Sequence, residues 1–170
     1  GDSLSIPYYK VISENKDFTF TPKIYTDNKA LFQNEYRQVN KNSSHILDFS
    51  LNRDNSSSKT HFFSNSLAKI NFLNFESSEL EINIETSSNN NYLKSHKIKS
   101  EITNNNSLLN SFISLKANTE DLFIETKFEA YEDLTAENDS DKYQYLLPGF
   151  ELSKNFNNNF TLLTNGYHKN

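Results

Sequence analysis

The sequence predicts an all-β fold, an antiparallel meander of about ten long strands. Apolar and polar residues alternate with a period of two along most of the chain. In residues 79–86, for example, Leu80, Ile82 and Ile84 fall on one side and acidic residues fall mainly on the other. A helix would scatter these apolar side chains around its axis, whereas a strand collects them on one face. Clusters of Asn, Asp and Ser separate the alternating runs, as turns do.

The predicted strands follow one another between these clusters. The clearest alternation lies in 18–25, 79–86 and 122–130. Asn, Asp and Ser bond locally to the backbone, and Asn tolerates the left-handed region, so a chain with three Gly can still form many hairpins. The less regular segment 89–100 is expected outside the sheet, as a loop or a short helical turn. In chain order, the predicted strands are 4–12, 17–26, 30–40, 45–53, 59–72, 77–87, 107–118, 121–134, 143–155 and 159–168.

The composition is that of a folded chain. Hydrophobic residues make up only 35% of the 170 residues, but aromatic residues reach 14%, and disordered chains are poor in aromatics. With no Cys, disulfides and Cys-ligated metal sites are excluded within the chain. The net charge of −5 argues against a nucleic-acid partner. No apolar run approaches the ~20 residues of a transmembrane helix.

The length of the predicted strands favours part of an outer-membrane β-barrel over a soluble sheet. Many have ten residues or more, against ~5–6 in soluble sheets and ~9–11 in membrane-spanning strands. Tyr and Phe gather near the predicted strand ends, where aromatic girdles meet the membrane interfaces. A soluble sheet also alternates, and it remains an alternative. The expected lipid face comprises Phe18, Phe20, Ile24, Leu47, Phe49, Leu80, Ile82, Ile84, Leu122, Ile124 and Phe128. The expected lumen face comprises Glu79, Glu81, Glu85, Glu125, Lys127 and Glu129.

Short motifs resemble one family of outer-membrane proteins. Residues 7–9 read Pro-Tyr-Tyr, residues 21–22 Thr-Pro, residues 35–38 Glu-Tyr-Arg-Gln, and residues 146–152 Leu-Leu-Pro-Gly-Phe-Glu-Leu. In residue type and spacing, this series is similar to the first part of the C-terminal β-barrel domain of the lipopolysaccharide-assembly protein LptD, the organic solvent tolerance protein. Lys10 stands where that family commonly has Trp.

The resemblance implies a role in the outer membrane of a Gram-negative bacterium. Members pass lipopolysaccharide from a periplasmic jelly-roll domain, which joins the periplasmic Lpt bridge, through a lateral opening of the barrel into the outer leaflet. The LptE lipoprotein forms a plug in the lumen. Residues 1–170 would then be an N-terminal portion of the barrel domain, a fragment without the jelly roll, in contact with membrane lipid.

Pro7 and Pro22 are the candidate lateral-gate residues. Proline has no N–H for a β ladder and is confined to edge strands, strand starts or bulges. Two prolines on either side of a short turn would weaken the first hairpin, and the lateral gate of the family requires a weak seam. The alternative is an ordinary edge strand, where proline guards against aggregation.

No residues point to catalysis. The four histidines, at 45, 61, 96 and 168, lack metal-ligand spacing, and the chain has neither a phosphate-binding Gly loop nor a Gly-x-Ser-x-Gly elbow. We therefore predict no catalytic residue, no metal and no cofactor, and we do not expect an enzyme. Three lysines and a histidine in 94–99 form a small basic cluster, which we expect to be a solvated loop.

The leading functional expectation is lipopolysaccharide transport and insertion into the outer leaflet. The alternatives are a passive outer-membrane pore and a soluble β-sandwich binding module. One feature conflicts with the leading expectation. If the first strand leaves the periplasm upward, the long link after residue 87 falls on the periplasmic side, where links are normally short.

Overall fold

Within the residues that the structure describes, eleven strands form one antiparallel sheet. The computed structural model describes residues 2–26, 29–53, 58–103, 105–157 and 160–167. Strands that follow one another in the chain are neighbours in the sheet, except that β1 and β2 both pair with β3. The strands are β1 (Ser3–Ser5), β2 (Tyr8–Ser13), β3 (Lys16–Tyr25), β4 (Ala30–Val39), β5 (Ser43–Arg53), β6 (Ser58–Lys69), β7 (Ser77–Ser87), β8 (Leu108–Asn118), β9 (Leu122–Asp133), β10 (Tyr143–Asn157) and β11 (Phe160–Gly166), with the helices α1 (Tyr92–His96) and α2 (Asp139–Lys142).

The predicted fold class, an all-β antiparallel meander, is confirmed. The first predicted strand is divided into β1 and β2, and each of the other nine corresponds to one strand. Both parts keep a single register against β3, with Ser5 opposite Lys23 and Tyr8 opposite Phe20. Pro7 lies at the break, because it has no N–H to give to the ladder. The sheet is open across the described residues, with β1 and β2 at one edge and β11 at the other.

The alternation separates a polar face of the sheet from an apolar face. In β7, the polar residues Asn83, Glu85 and Ser87 are buried, whereas Ile82 and Ile84 are 38% and 41% exposed. Residues directly opposite one another share a face, so the strand registers extend both faces across the sheet. Exposed large side chains on the apolar face include Phe32, Leu51, Phe62, Ile82, Ile84, Ile113 and Phe128.

The hydrophobic core is small and includes part of the link between β7 and β8. Leu31 and Phe63 contribute from polar-face positions, opposite Asn52 and Asp48 respectively. The link lies outside the sheet, as expected, and contains the short helix α1. Within the described residues, no helix has the length and apolar character needed to cross a membrane. The core cluster consists of Leu31, Phe63, Tyr92, Leu93, Ile98, Leu109 and Leu134.

Strand β10 contains a bulge against β9. Leu146 pairs with Glu129 and Gly149 pairs with Lys127, so two residues, one of them Pro148, lie opposite a single residue of β9. An extra residue at a bulge stays out of the ladder, and proline is tolerated there. The Leu-Leu-Pro-Gly motif therefore has a local structural cause.

Candidate functional site: the polar face and its cover segment

Part of the chain folds back onto the polar face of the sheet. Residues 91–102, named the cover segment, contain α1 and follow β7. Strand side chains donate to its backbone: Lys23 Nζ to the carbonyl oxygen of His96 at 2.8 Å, and Gln33 Nε2 to that of Lys99 at 2.9 Å. These bonds attach the cover segment to β3 and β4.

A buried chain of hydrogen bonds joins α1 to β5 and β6. The Tyr92 hydroxyl lies 2.7 Å from Ser50 Oγ, which lies 2.6 Å from His61 Nδ1. His61 Nε2 is 3.1 Å from Asp48 Oδ1, and Gln33 Nε2 is 3.0 and 3.1 Å from the two oxygens of the same carboxylate. The side chains other than that of Gln33 belong to residues no more than 1% exposed. Burial of this kind is costly unless each polar group has a partner, and here each has one.

The donors in this chain run in one direction. A carboxylate only accepts, so a neutral His61 donates from Nε2 to Asp48 and accepts from Ser50 at Nδ1. The proton of Ser50 is then directed at His61, so Ser50 Oγ accepts from the Tyr92 hydroxyl, which stays protonated at neutral pH because burial raises its pKa to about 12. Although Ser, His and Asp occur in the order of a hydrolytic triad, Ser50 is fully buried and already bonded to Tyr92, so its oxygen is not placed to attack a substrate.

His96 anchors the end of α1 to β3 and β5. Its Nε2 lies 3.1 Å from Asn52 Nδ2, and its Nδ1 lies 2.6 Å from the hydroxyl of Tyr25. Since the amide nitrogen of Asn52 is a donor, Nε2 accepts, and a neutral His96 donates from Nδ1 to Tyr25. Burial, followed by the charges of three nearby lysines, lowers the pKa of His96 below its ordinary value of 6.5. The neutral form is thus favoured at pH 7.

The six residues predicted to face a lumen lie on the polar face, on β7 and β9. Glu85 is two residues after Asn83, and its carboxylate accepts from Asn83 Nδ2 at 3.0 Å and from the backbone N–H of Asn110 at 3.1 Å. That these residues face water in a lumen stays a prediction. The rows across β7, β8 and β9 are Glu79–Lys116–Glu125, Glu81–Ser114–Lys127 and Asn83–Phe112–Glu129.

Five of these six residues are paired with one another or with neighbouring polar groups. Lys127 Nζ lies 2.7 Å from Glu129 Oε1 and 4.1 Å from the centre of the Phe112 ring. Glu81 accepts a hydrogen bond from Asn65 Nδ2 at 2.9 Å. The geometry is that of a hydrogen-bonded polar lining, with acidic side chains in the majority among the six predicted residues.

The two candidate gate residues lie at the first edge of the sheet. Pro7 falls between β1 and β2, and Pro22 lies within β3. The backbone N–H of Ile6 donates to the carbonyl oxygen of Pro22 at 3.4 Å. Regular strand pairing is interrupted between Ser5 and Tyr8, although the register on either side is the same. The missing proline N–H accounts for this interruption. The gate role stays a prediction.

Sequence reasoning missed the buried network and the packing of the cover segment. The structure joins His61 and His96 through Tyr92, whose ring centre lies 6.3 Å from that of His61 and 4.8 Å from that of His96. The hairpin between β5 and β6 places Ser50 opposite His61, and this pairing is a signal that the sequence offers. No local pattern links Ser50 to Tyr92, 42 residues later.

His168 lies outside the described residues, and within them no three His, Asp or Glu side chains are placed to hold a metal ion.

Comparisons with known proteins identify a similar solved structure but no family. No family model matches the chain, and neither does any curated protein. One solved structure that matches is described as "KdgM porin in complex with disordered oligogalacturonate". Its TM-score is 0.36 and its sequence identity 11%, over 98% of this chain and 84% of that chain.

The expected membership of the LptD family is wrong. No family model supports it, and a solved structure that matches is a porin, of a different family. The motifs behind the resemblance have local causes: Tyr36 donates to Gln38 Oε1 at 2.8 Å, Arg37 Nε pairs with Asp17 Oδ1 at 2.9 Å, and Pro148 lies at a bulge. Contacts within a strand, cross-strand pairs and bulges of this kind occur in many sheets, so short motifs built from them do not identify a family. Lipopolysaccharide, LptE and the Lpt bridge lose their support as partners.

Proposed function

We propose that this chain forms the wall of a passive pore in a bacterial outer membrane, with the apolar face toward lipid and the polar face toward water. The exposed apolar face is the observation that carries this proposal. Among the described residues, only eight hydrophobic residues are buried, whereas large side chains of the apolar face are 38–50% exposed: Phe32, Leu51, Phe62, Ile82, Ile84, Ile113 and Phe128. A soluble antiparallel sheet turns its polar face to water and buries the apolar one, so this face requires an apolar environment.

Strand length supports a membrane rather than a second sheet as that environment. Strands β3 to β10 contain 10 to 15 residues. A strand of ~9–11 residues, tilted in the membrane, spans the hydrocarbon layer, whereas strands of soluble sheets average ~5–6 residues. The polar face supports the complementary half of the proposal, since charged side chains there belong on the water-filled side of a barrel.

In this proposal, the cover segment narrows the pore. It lies on the polar face and is attached to β3, β4 and β5 by side-chain hydrogen bonds. Glu85 is buried, but the other five predicted lumen residues of β7 and β9 keep partial exposure. A solute would therefore pass between the cover segment and these charged residues.

Membrane fractionation and bilayer conductance test the proposal in two steps. We expect the chain to fractionate with membranes, to change its gel mobility on heating, and to produce stepwise conductance in planar bilayers. Membranes prepared without the chain serve as the control. Fractionation tests the assignment of the two faces alone, and conductance also tests closure of the wall at its two edges. A chain that stays in solution without detergent would contradict the proposal and favour a soluble β-sandwich.

A further inference from the structure

A cavity of about 330 Å³ lies between β3, β4 and the cover segment. Its volume falls within the ~300–1,000 Å³ typical of small-molecule sites. Four strand hydroxyl or amide side chains and three lysines contribute polar groups to its wall, together with one carboxylate. The residues that matter for its chemistry are Lys23, Lys97, Lys99, Thr19, Thr21 and Glu35.

The lining of this cavity carries more positive than negative side chains. Lys23 Nζ donates to an uncharged carbonyl oxygen, that of His96. Within the described residues, none of the ion pairs involves Lys23, Lys97 or Lys99. The single carboxylate, that of Glu35, lies 3.6 Å from the guanidinium of Arg37. Three lysines against one glutamate leave two positive charges in the wall.

The surroundings of α1 extend this positive region. The pKa of His96 is lowered first by burial and then by the charges of Lys23, Lys59 and Lys29. Three lysines therefore lie close enough to His96 to oppose its protonation. Cationic groups held near one another at a cavity create a potential that attracts anions.

Lys97 is held at the cavity wall by the backbone cap of α1: its N–H donates to the carbonyl oxygen of Lys94, and the N–H of Ile98 donates to that of Leu93. This residue ends α1 in the left-handed region, with φ 50° and ψ 48°. Glycine is the usual residue there, because it has no Cβ to clash. The cap therefore fixes the backbone from which the Lys97 side chain extends.

We propose that this cavity binds a small organic anion through its carboxylate or phosphate group. The ammonium groups of Lys23, Lys97 and Lys99 supply the charge, and the hydroxyls of Thr19 and Thr21 supply further donors. Hydrogen bonds between ionised partners are stronger than neutral ones, and lysine binds such oxyanions as a point charge. This inference rests on the proposed function in one respect: the cavity is reached from the water-filled side of the wall.

Calorimetric titration of the full chain in detergent micelles, at low ionic strength, tests the site with sodium citrate as the probe. The cavity variant carries Lys23→Gln, Lys97→Gln and Lys99→Gln, and we expect its citrate affinity to fall at least tenfold. The control variant makes the same change in charge at three exposed lysines that do not line the cavity, and we expect its affinity to stay within twofold of the wild type. These control positions are Lys10, Lys41 and Lys69.

Several results would overturn the site. They are equal citrate affinity in the two triple variants, no citrate binding by the wild type, and glucose binding as tight as citrate. If the cavity variant does not fold, Lys97→Gln alone keeps the test valid. Lys97 is exposed, and we expect its replacement to weaken binding at least threefold. Bilayer conductance, measured in parallel, separates the two proposals. Conductance without citrate binding refutes the site alone, and citrate binding without conductance refutes the pore alone.

Discussion

Replacing Ile82 by Arg tests whether the apolar face meets lipid. Ile82 is the sixth of the 11 residues of β7, and its side chain is 38% exposed. With a rise of ~3.3 Å per residue and a tilt of ~45°, such a strand covers a height of roughly 25 Å, which matches the apolar band of a membrane barrel. Ile82 would then lie near the membrane midplane. An Arg there is expected to reduce the free energy of unfolding by ~2–4 kcal/mol.

Two control variants of β7 separate the effect of depth in the membrane from the effect of the face of the sheet. Thr86→Arg lies on the same face, one residue from the end of the strand, and is expected to cost ~0–1 kcal/mol because the cost falls toward the interface. Glu81→Arg lies on the polar face and loses the hydrogen bond from Asn65, which is worth ~1 kcal/mol. The measurement is urea unfolding of the chain reconstituted in lipid vesicles.

If the apolar face met water, the three Arg variants would show a different set of losses of unfolding free energy. A side chain as exposed as that of Ile82 would let Arg reach solvent, and surface substitutions of this kind usually change stability by less than ~0.5 kcal/mol. Equal losses of stability for Ile82→Arg and Glu81→Arg would therefore refute the assignment of the two faces.

Further predictions concern the cover segment. Tyr92→Phe removes the hydroxyl that donates to Ser50 and should lower the free energy of unfolding by ~1 kcal/mol in urea titrations. An unchanged free energy of unfolding would contradict this contribution. The pKa of His96 in the attached segment is lower than its ordinary value of 6.5. Attachment of the segment is therefore fully stable above pH 6.5 and weakens as the pH falls through the lowered pKa. Hydrogen exchange of residues 92–101 should therefore speed up, beyond the intrinsic pH effect, between pH 7 and pH 5, and His96→Gln should abolish that excess. Replacing residues 92–101 by a short Gly-Ser linker should raise the bilayer conductance, and an equal conductance would exclude a narrowing role.

The positions of the strands could be predicted from sequence because alternation is a local property. Leu80, Ile82 and Ile84 define a strand face without reference to the rest of the chain. The same local view predicted a weakened first hairpin but not the division of the first strand at Pro7, since the effect of a proline depends on which backbone groups of β3 lie opposite. It also led to a family assignment that rested on motifs such as Glu-Tyr-Arg-Gln, whose residues serve strand pairing.

The candidate site was less accessible to sequence reasoning, because its contacts join distant parts of the chain. Tyr25 and His96 are 71 residues apart, and no periodicity relates them. The pairing of Ser50 with His61 follows from one hairpin. Tyr92, the third residue of that hydrogen-bond network, comes from the link between β7 and β8, which has no regular alternation of apolar and polar residues. Contacts of this kind are determined by tertiary packing, in which a loop covers the polar side chains of a sheet.

Cysteine labelling along β7 most directly tests the central claim, which is that the apolar face of the sheet meets lipid and the polar face meets water. The chain has no Cys, so each single substitution reports its own position. For the chain in vesicles, the account predicts that Glu79→Cys and Glu81→Cys react with a membrane-impermeant maleimide, whereas Ile82→Cys and Ile84→Cys do not react until the chain is unfolded. In water, the 38% and 41% exposed Ile82 and Ile84 positions would be freely accessible. Rapid labelling at these two positions in the vesicles would contradict the account.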